Sequence, residues 1–255
     1  MRTAVITGGA GGLGRALATA LQNRGWHAAL IDLPGPELDA VAATGSQSAW
    51  PCDLTDAGQL ARSCDAIRAA RPSIDMVVYN AGITHIGLFS ESGMDTHRRV
   101  MEINHFAAVA TARHFLEDIR RSRGTHLAVS SVAGFSPLFK RTAYAASKHA
   151  LEGFFTSLRS EERPHGVRTV VAAPSFVATN IGKPEANGDG LARPGSAADS
   201  LDLMSPEEAA DVILKGLDRN RETIPVGRVA RLAWIIHRLS PALYARLMER
   251  SIDRR

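Results

Sequence analysis

Thr3-Ala4-Val5-Ile6-Thr7-Gly8-Gly9-Ala10-Gly11-Gly12-Leu13-Gly14 is the stretch from which the rest of the chain is read. A short apolar run stops at a glycine-rich turn. Behind the turn, Leu13, Ala16, Leu17, Ala20 and Leu21 recur at helical spacing. Strand, glycine turn and helix together aim main-chain N–H groups and a helix N-terminus at one point, a geometry suited to a phosphate. A glycine turn alone is weak evidence. The following stretch, His27-Ala28-Ala29-Leu30-Ile31-Asp32, is a second apolar run that ends in a carboxylate, eighteen residues past Gly14. That is close to the ~20 residues at which an acid meets an adenosine ribose. Asp32 could instead be a polar strand end or a helix cap, but its place after a glycine turn and a strand favours the ribose role.

Outward from this unit the same alternation continues. Ser48 to Leu54 reads as a third strand running into a loop, and Thr55 is expected to cap a helix over about 56–70 with Ala57, Leu60, Cys64 and Ile67 on its apolar face. Ile74 to Tyr79 is a fourth strand closed by Asn80-Ala81-Gly82, and a long helix over roughly 95–121 follows with Asn104 inside it. Asn is a mediocre helix former, so that position invites a reason. Thr125 to Ser131 is strand five, residues 142–160 form one helix, and Val167 to Ala173 is strand six, ended by Pro174. Apolar strands alternating with helices imply a parallel sheet buried on both faces, a single doubly wound α/β domain.

Residues 182–204 interrupt the pattern with repeated Gly and Pro and read as a lid. Ser205-Pro206-Glu207-Glu208 starts a helix, and Thr223-Ile224-Pro225-Val226-Gly227 is a short edge strand because of its Pro. The domain thus spans 1–228. Residues 229–255 form a basic extension of two short amphipathic helices divided at Ser240-Pro241. That extension fits packing on its own domain or its twin, a cover over the substrate mouth, or a helix lying on a membrane surface.

The 255 residues are 45% hydrophobic and 22% charged, which suits one large soluble domain. No uncharged apolar run approaches the ~18 residues of a membrane span. Met1 and Arg2 lead straight into the first strand without a leader pattern. Cys52 and Cys64 have neither metal-ligand nor redox spacing, so two structural thiols in a reducing, cytoplasmic setting are expected, and no metal site. The whole chain carries +4, yet ten basic and four acidic residues from Lys215 onward leave +6 there, so the remainder is slightly acidic. That distribution argues against a nucleic-acid surface.

Tyr144 and Lys148 stand four apart on one helix, so phenol and ammonium lie on one face. A neighbouring cation favours the phenolate and is expected to lower the Tyr144 pKa toward neutrality, where the phenol can give or take a proton. Alone, such a pair is no more than many exposed helices carry.

The set as a whole resembles the short-chain dehydrogenase/reductase family. Thr7-Gly8-x-x-x-Gly12-x-Gly14, the Asn80-Ala81-Gly82 turn, Ser131 and Tyr144-x-x-x-Lys148 occur in that family's order and spacing, over about residues 3–227. The resemblance implies a Rossmann-type fold and a catalytic set of Asn104, Ser131, Tyr144 and Lys148, with Ser131 preferred to Ser130 by its thirteen-residue spacing to Tyr144. It also implies cofactor contacts from Gly8, Gly12, Leu13, Gly14, Asn80 and Gly82. Asp53 and Leu54 match the pair at the adenine, and Val177 and Thr179 the positions at the nicotinamide carboxamide. By the same analogy Lys148 also binds the nicotinamide ribose, and Asn104 holds a water linking Lys148 to solvent. Two positions depart from the family pattern. Ser175 replaces a usual Gly after Pro174, which implies a tighter or differently shaped turn, and Tyr79 stands where a first Asn is common, a change of packing.

Charge then sorts the cofactor. Asp32 can bond both hydroxyls of an NAD ribose and repels a 2′-phosphate, and Leu33 offers no compensating cation. Arg15 is the complication, so NAD(H) is favoured over NADP(H). The implied reaction is hydride transfer between nicotinamide and a secondary alcohol or ketone. Phe135, Leu138, Phe139, Phe176, Ile181 and the apolar tail favour a lipophilic substrate, such as a steroid, a terpenoid or a long-chain keto compound. A β-ketoacyl-carrier-protein reductase and a non-catalytic dinucleotide sensor or scaffold are the alternatives. A homodimer or homotetramer through the helices of Asn104 and Tyr144 is expected by the same resemblance.

Overall fold

Seven strands, β1 (Thr3–Thr7), β2 (His27–Asp32), β3 (Ser48–Pro51), β4 (Met76–Tyr79), β5 (Thr125–Val129), β6 (Arg168–Pro174) and β7 (Thr223–Val226), form one sheet in the order β7-β6-β5-β4-β1-β2-β3. These positions come from a computed structural model that describes residues 1–42, 47–179, 190–192 and 203–252. Every pairing in the sheet is parallel, with Val5 opposite both Ala29 and Val77. The chain winds outward from β1 through β2 to β3, then returns to β4 on the other side of β1. The direction reverses between β1 and β4, the place where open parallel sheets form their ligand crevice.

Successive side chains of a strand point to opposite faces, and β1 divides accordingly. Ala4 and Ile6 face a layer made by α1 (Gly12–Gln22) and α7 (Pro206–Asp218), among Leu17, Leu21, Leu30, Val78, Ile213 and Leu214. Val5 faces the other layer, where α3 (Ala57–Ala70), α5 (Ala107–Ser122) and α6 (Thr142–Glu162) supply Leu60, Ile67, Phe115, Ile119, Leu151 and Phe155. Each such side chain removed from water contributes about 1.5–3 kcal/mol. Pro225 does sit in an edge strand, opposite Ala173.

Several elements differ from the sequence expectation. A short helix α2 (Pro36–Ala42), which buries Leu38 and Val41, lies where no element was expected. The cap of α3 is Asp56 and not Thr55. Its Oδ1 accepts from the N–H groups of Gly58 and Gln59 at 2.9 Å, while Thr55 instead donates its hydroxyl to Asp53. The long helix over 95–121 is interrupted: α4 (Met94–Met101) passes into a π-helical segment, Glu102–Phe106, before α5 begins. The capping box at Ser205 is present, with Glu208 donating its N–H to Ser205 Oγ at 3.1 Å.

Most of the expected lid over 182–204 lies outside the described residues. Two pieces are placed: Leu191–Ala192 pairs antiparallel with Thr84–His85, and Leu203–Met204 pairs with Phe176–Val177. The tail forms α8 (Arg228–Leu239) and α9 (Pro241–Ile252), broken at Ser240 as expected. Ala230, Ala233 and Tyr244 pack on Val132, so this segment covers its own domain next to β5. No helix among the described residues is long and apolar enough to cross a membrane, and no group of three or more metal-ligating side chains occurs among them.

Candidate active site

The crevice opens where the loops after β1 and β4 part. Gly8 adopts φ 63°, in the left-handed region, and a β-carbon there would lie 2.8 Å from Ala81 Cα. A β-carbon on Gly14 would meet the Gly8 carbonyl, so α1 enters against the turn only because that position is bare. Thr7 and Asn80 lace the two loops together. Thr7 Oγ1 accepts from the N–H groups of Asn80 and Ala81 at 3.1 and 3.2 Å, and Asn80 Nδ2 donates to the carbonyls of Thr7 and Gly8 at 3.2 and 2.9 Å. Asn80 therefore braces the glycine turn as well as lining the cleft.

The cleft holds about 1300 Å³ of empty space, including its open mouth. One end is walled by Asp32, Leu33, Asp53 and Leu54, the middle by Gly8, Gly12, Leu13, Asn80 and Gly82, and the other end by Ser131, Tyr144, Lys148, Val177 and Thr179. Gly14 and Asn104 stand directly behind this wall. Asp32 is held in place: Oδ2 accepts from Ala10 N–H and Oδ1 from Leu33 N–H, each at 2.9 Å. Asp53 Oδ1 accepts from both the N–H and the hydroxyl of Thr55. Arg15 is exposed on α1 and does not line the cleft.

At the far end, two adjacent serines are sorted by their partners. Ser130 donates its hydroxyl to Glu152 Oε1 at 2.7 Å, whereas Ser131 caps a 3₁₀ turn, Val132–Gly134, and shares a hydrogen bond with the Tyr144 phenol. Ser131 is thus the hydroxyl at the phenol. The expected tuning of Tyr144 by Lys148 is corrected. Burial pushes the Tyr144 phenol up, opposed by the Ser131 hydrogen bond and the Arg141 charge. Lys148 Nζ donates to the Val129 carbonyl at 2.9 Å and lies over the phenol ring, 5.8 Å from its centre. Burial lowers this ammonium to about 8, with the Glu152 carboxylate pulling the other way. Four residues on a helix set the two side chains on one face but do not fix where a long lysine ends.

Asn104 is held on three sides. Its side chain, 1% exposed, accepts from Ile83 N–H at 2.8 Å and donates to the Ile83 carbonyl at 2.9 Å and to Ser147 Oγ at 2.8 Å. The amide ties the π segment to the loop after β4 and to α6. A β-carbon on Gly82 would come within 3.1 Å of Asn104 Oδ1 and 3.5 Å of Lys148 Nζ, so Gly82 lets that loop close on the site.

Ser175 is absent from the positive-φ residues and donates its N–H and hydroxyl to the Val226 carbonyl at 2.9 and 3.2 Å. The turn tolerates a side chain and gains a tie to β7. Tyr79 is a packing residue, fully buried, tilted against Phe155 with ring centres 4.5 Å apart and hydrogen bonded to His126 Nδ1 at 2.7 Å. Glu152, Ser147 and Arg141 escaped the sequence reading. Glu152 follows Lys148 by four residues and Ser147 follows Tyr144 by three, so helical spacing was the signal for both. At the mouth Phe176 lines the cleft, Phe139 is exposed, and Phe135 packs under α8 and α9, while Ile181 lies outside the described residues.

Known proteins resemble the chain in sequence and in fold. The family model of the short chain dehydrogenases matches residues 2–189. Dehydrogenase/reductase SDR family member 7B of Bos taurus is 33% identical over 257 residues, covering 96% of this chain and 79% of its own. A short-chain dehydrogenase from Streptomyces avermitilis superposes with a TM-score of 0.82 at 25% identity, over 99% of this chain and 97% of that one. One from Burkholderia cenocepacia, solved in complex with NADP, gives a TM-score of 0.82 at 23% identity over 96% and 97%. With the glycine turn at the β1/β4 crevice and the family match over most of its length, the chain belongs to the short-chain dehydrogenase/reductase family of oxidoreductases.

Proposed function

We propose that the protein is an NAD(H)-dependent oxidoreductase acting between a secondary alcohol and a ketone, with a lipophilic substrate. The single observation that carries the reading is the juxtaposition of Ser131 and the buried Tyr144 phenol with Lys148, at the end of a cleft whose other end is Asp32. The residues fit a nicotinamide dinucleotide. Gly8 and Gly14 leave the turn bare for the pyrophosphate, and a β-carbon on Gly12 would crowd Thr179 at 3.0 Å. Asp32 would hold the adenosine ribose, Asp53 and Leu54 the adenine side, and Val177 and Thr179 the carboxamide.

A nicotinamide bound in the cleft supplies the hydride acceptor or donor. In reduction the Ser131 hydroxyl donates a hydrogen bond to the substrate oxygen as negative charge gathers there. Tyr144 then gives its proton to that oxygen. Its raised pKa keeps the phenol protonated at neutral pH and ready for this direction. Lys148, with its pKa lowered to about 8, is still largely charged at pH 7 and offsets the phenolate left behind. In oxidation Tyr144 takes the proton, so that direction gains rate as pH rises. Asn104 positions the loop of Ile83 against α6, the helix that carries Tyr144 and Lys148.

Among the described lining residues Lys148 is the single cation, so nothing at the Asp32 end compensates a 2′-phosphate. This supports NAD(H), although a relative of the same fold is solved with NADP. Exposed Phe139 and Phe176 support the lipophilic substrate, and exposed Phe106 beside Asn104 supports a homodimer or homotetramer through those helices. The test is a panel of secondary alcohols and ketones followed by nicotinamide absorbance with both cofactors. Asp32→Ala is expected to cut kcat/KM with NAD at least about ten-fold and with NADP much less. An unchanged preference removes Asp32 from the account.

A further inference from the structure

Outside the cleft, the most unusual surface is the tail hairpin. The α8 residues Ala230 and Ala233 face inward on Val132. Val229, Leu232, Ile235 and Leu239 all face solvent, Leu232 at 59% and Leu239 at 82% exposure. At 3.6 residues per turn these four fall within about 120° of one helix face. Arg231 and Arg238 lie next to that arc and are exposed. On α9, Tyr244 is buried while Leu243 and Leu247 are exposed, with exposed Arg246 between them.

From Thr223 to Met248 the chain holds Arg228, Arg231, Arg238 and Arg246 and no Asp or Glu. None of the four guanidiniums forms a salt bridge among the described residues. A second copy of the chain seated on this face through a two-fold axis would bring arginines against arginines, with Glu249 of α9 the one carboxylate that the two helices carry against them. An anionic lipid surface answers both features: headgroups for the arginines and the acyl boundary for the leucines.

We propose that the α8–α9 hairpin docks the protein peripherally on an anionic membrane surface, with Leu232, Leu239, Leu243 and Leu247 entering the acyl boundary and Arg231 and Arg246 meeting lipid phosphates. Because α8 packs on Val132, one residue past Ser131, docking holds the catalytic end of the cleft close to the bilayer. The docking does not depend on the substrate or cofactor assigned above.

Flotation of the full chain with vesicles of phosphatidylcholine, alone or mixed with phosphatidylserine, tests this. The wild type is expected to float with the mixed vesicles and not with phosphatidylcholine alone, and to be released by added salt. Leu232→Glu/Leu239→Glu changes only exposed positions and is expected to lower the floated fraction at least about ten-fold. Arg231→Glu/Arg246→Glu is expected to weaken binding by roughly five-fold per residue. Circular dichroism checks that both pairs stay folded. Failure of the wild type to float, or flotation unchanged in both variants, overturns the proposal. So does a smaller oligomer formed by the leucine variant in lipid-free solution, which would mark the face as a contact between copies.

Discussion

Burial holds the Lys148 ammonium near 8 instead of its ordinary 10.5, with the side chain 3% exposed. The folded state therefore binds this proton less tightly than the unfolded chain. Below about pH 8 both states are charged and the fold bears the full penalty; the penalty fades as pH rises toward 10.5. Lys148→Met is expected to abolish turnover and yet stabilise the fold at pH 7, by on the order of 2 kcal/mol once the lost hydrogen bond to Val129 is set against it. Thermal unfolding from pH 7 to 10 checks this, and a lower melting temperature for Lys148→Met at pH 7 contradicts it. At this scale the residue types and spacings exposed Ser131, Tyr144, Lys148 and Asp32 in the sequence. They did not reveal where each side chain ends: Lys148 on Val129, Asn104 on Ile83 and Ser147, Ser130 on Glu152. Those ends are set by loops far apart in sequence.

Between elements, the clearest joint is Arg120 of α5 on Glu162 of α6. The guanidinium donates to both carboxylate oxygens, at 2.9 and 2.7 Å, and Glu162 is 1% exposed. That partner is the first cause of the lowered Glu162 pKa. Arg120→Ala strands a buried carboxylate and is expected to cost about 3 kcal/mol in urea unfolding, with a smaller deficit in Arg120→Ala/Glu162→Gln. Equal losses in both variants would show that packing, not the unpaired charge, is at stake. The helices of this joint were legible from periodicity, as were the Ser205 capping box and the break at Ser240. The π segment at Asn104 was visible only as a poor helix former within a long helix. The cap at Asp56 was misread because Thr55 and Asp56 are both good caps, and only the Asp53 side chain, by taking Thr55, decides between them. α2 is short and carries few periodic positions, which left it below notice.

For the molecule as a whole, alternating apolar strands and helices specified a parallel sheet with both faces covered. The strand order was not written in any one segment. It follows from which helices find room on each face, and it places the glycine turn, Asn80 and the Tyr144 helix around one crevice. The same packing turns the tail against Val132, a contact that amphipathic periodicity left open among several partners. The central claim is that this crevice transfers a proton through Tyr144 as a nicotinamide exchanges a hydride with an alcohol or ketone. Tyr144→Phe keeps the ring and its packing and removes only the hydroxyl. Nicotinamide absorbance with the best substrate of the panel is expected to show kcat falling at least about 100-fold in the Phe variant, with cofactor affinity little changed. Turnover by Tyr144→Phe within a few-fold of the wild type would contradict the account.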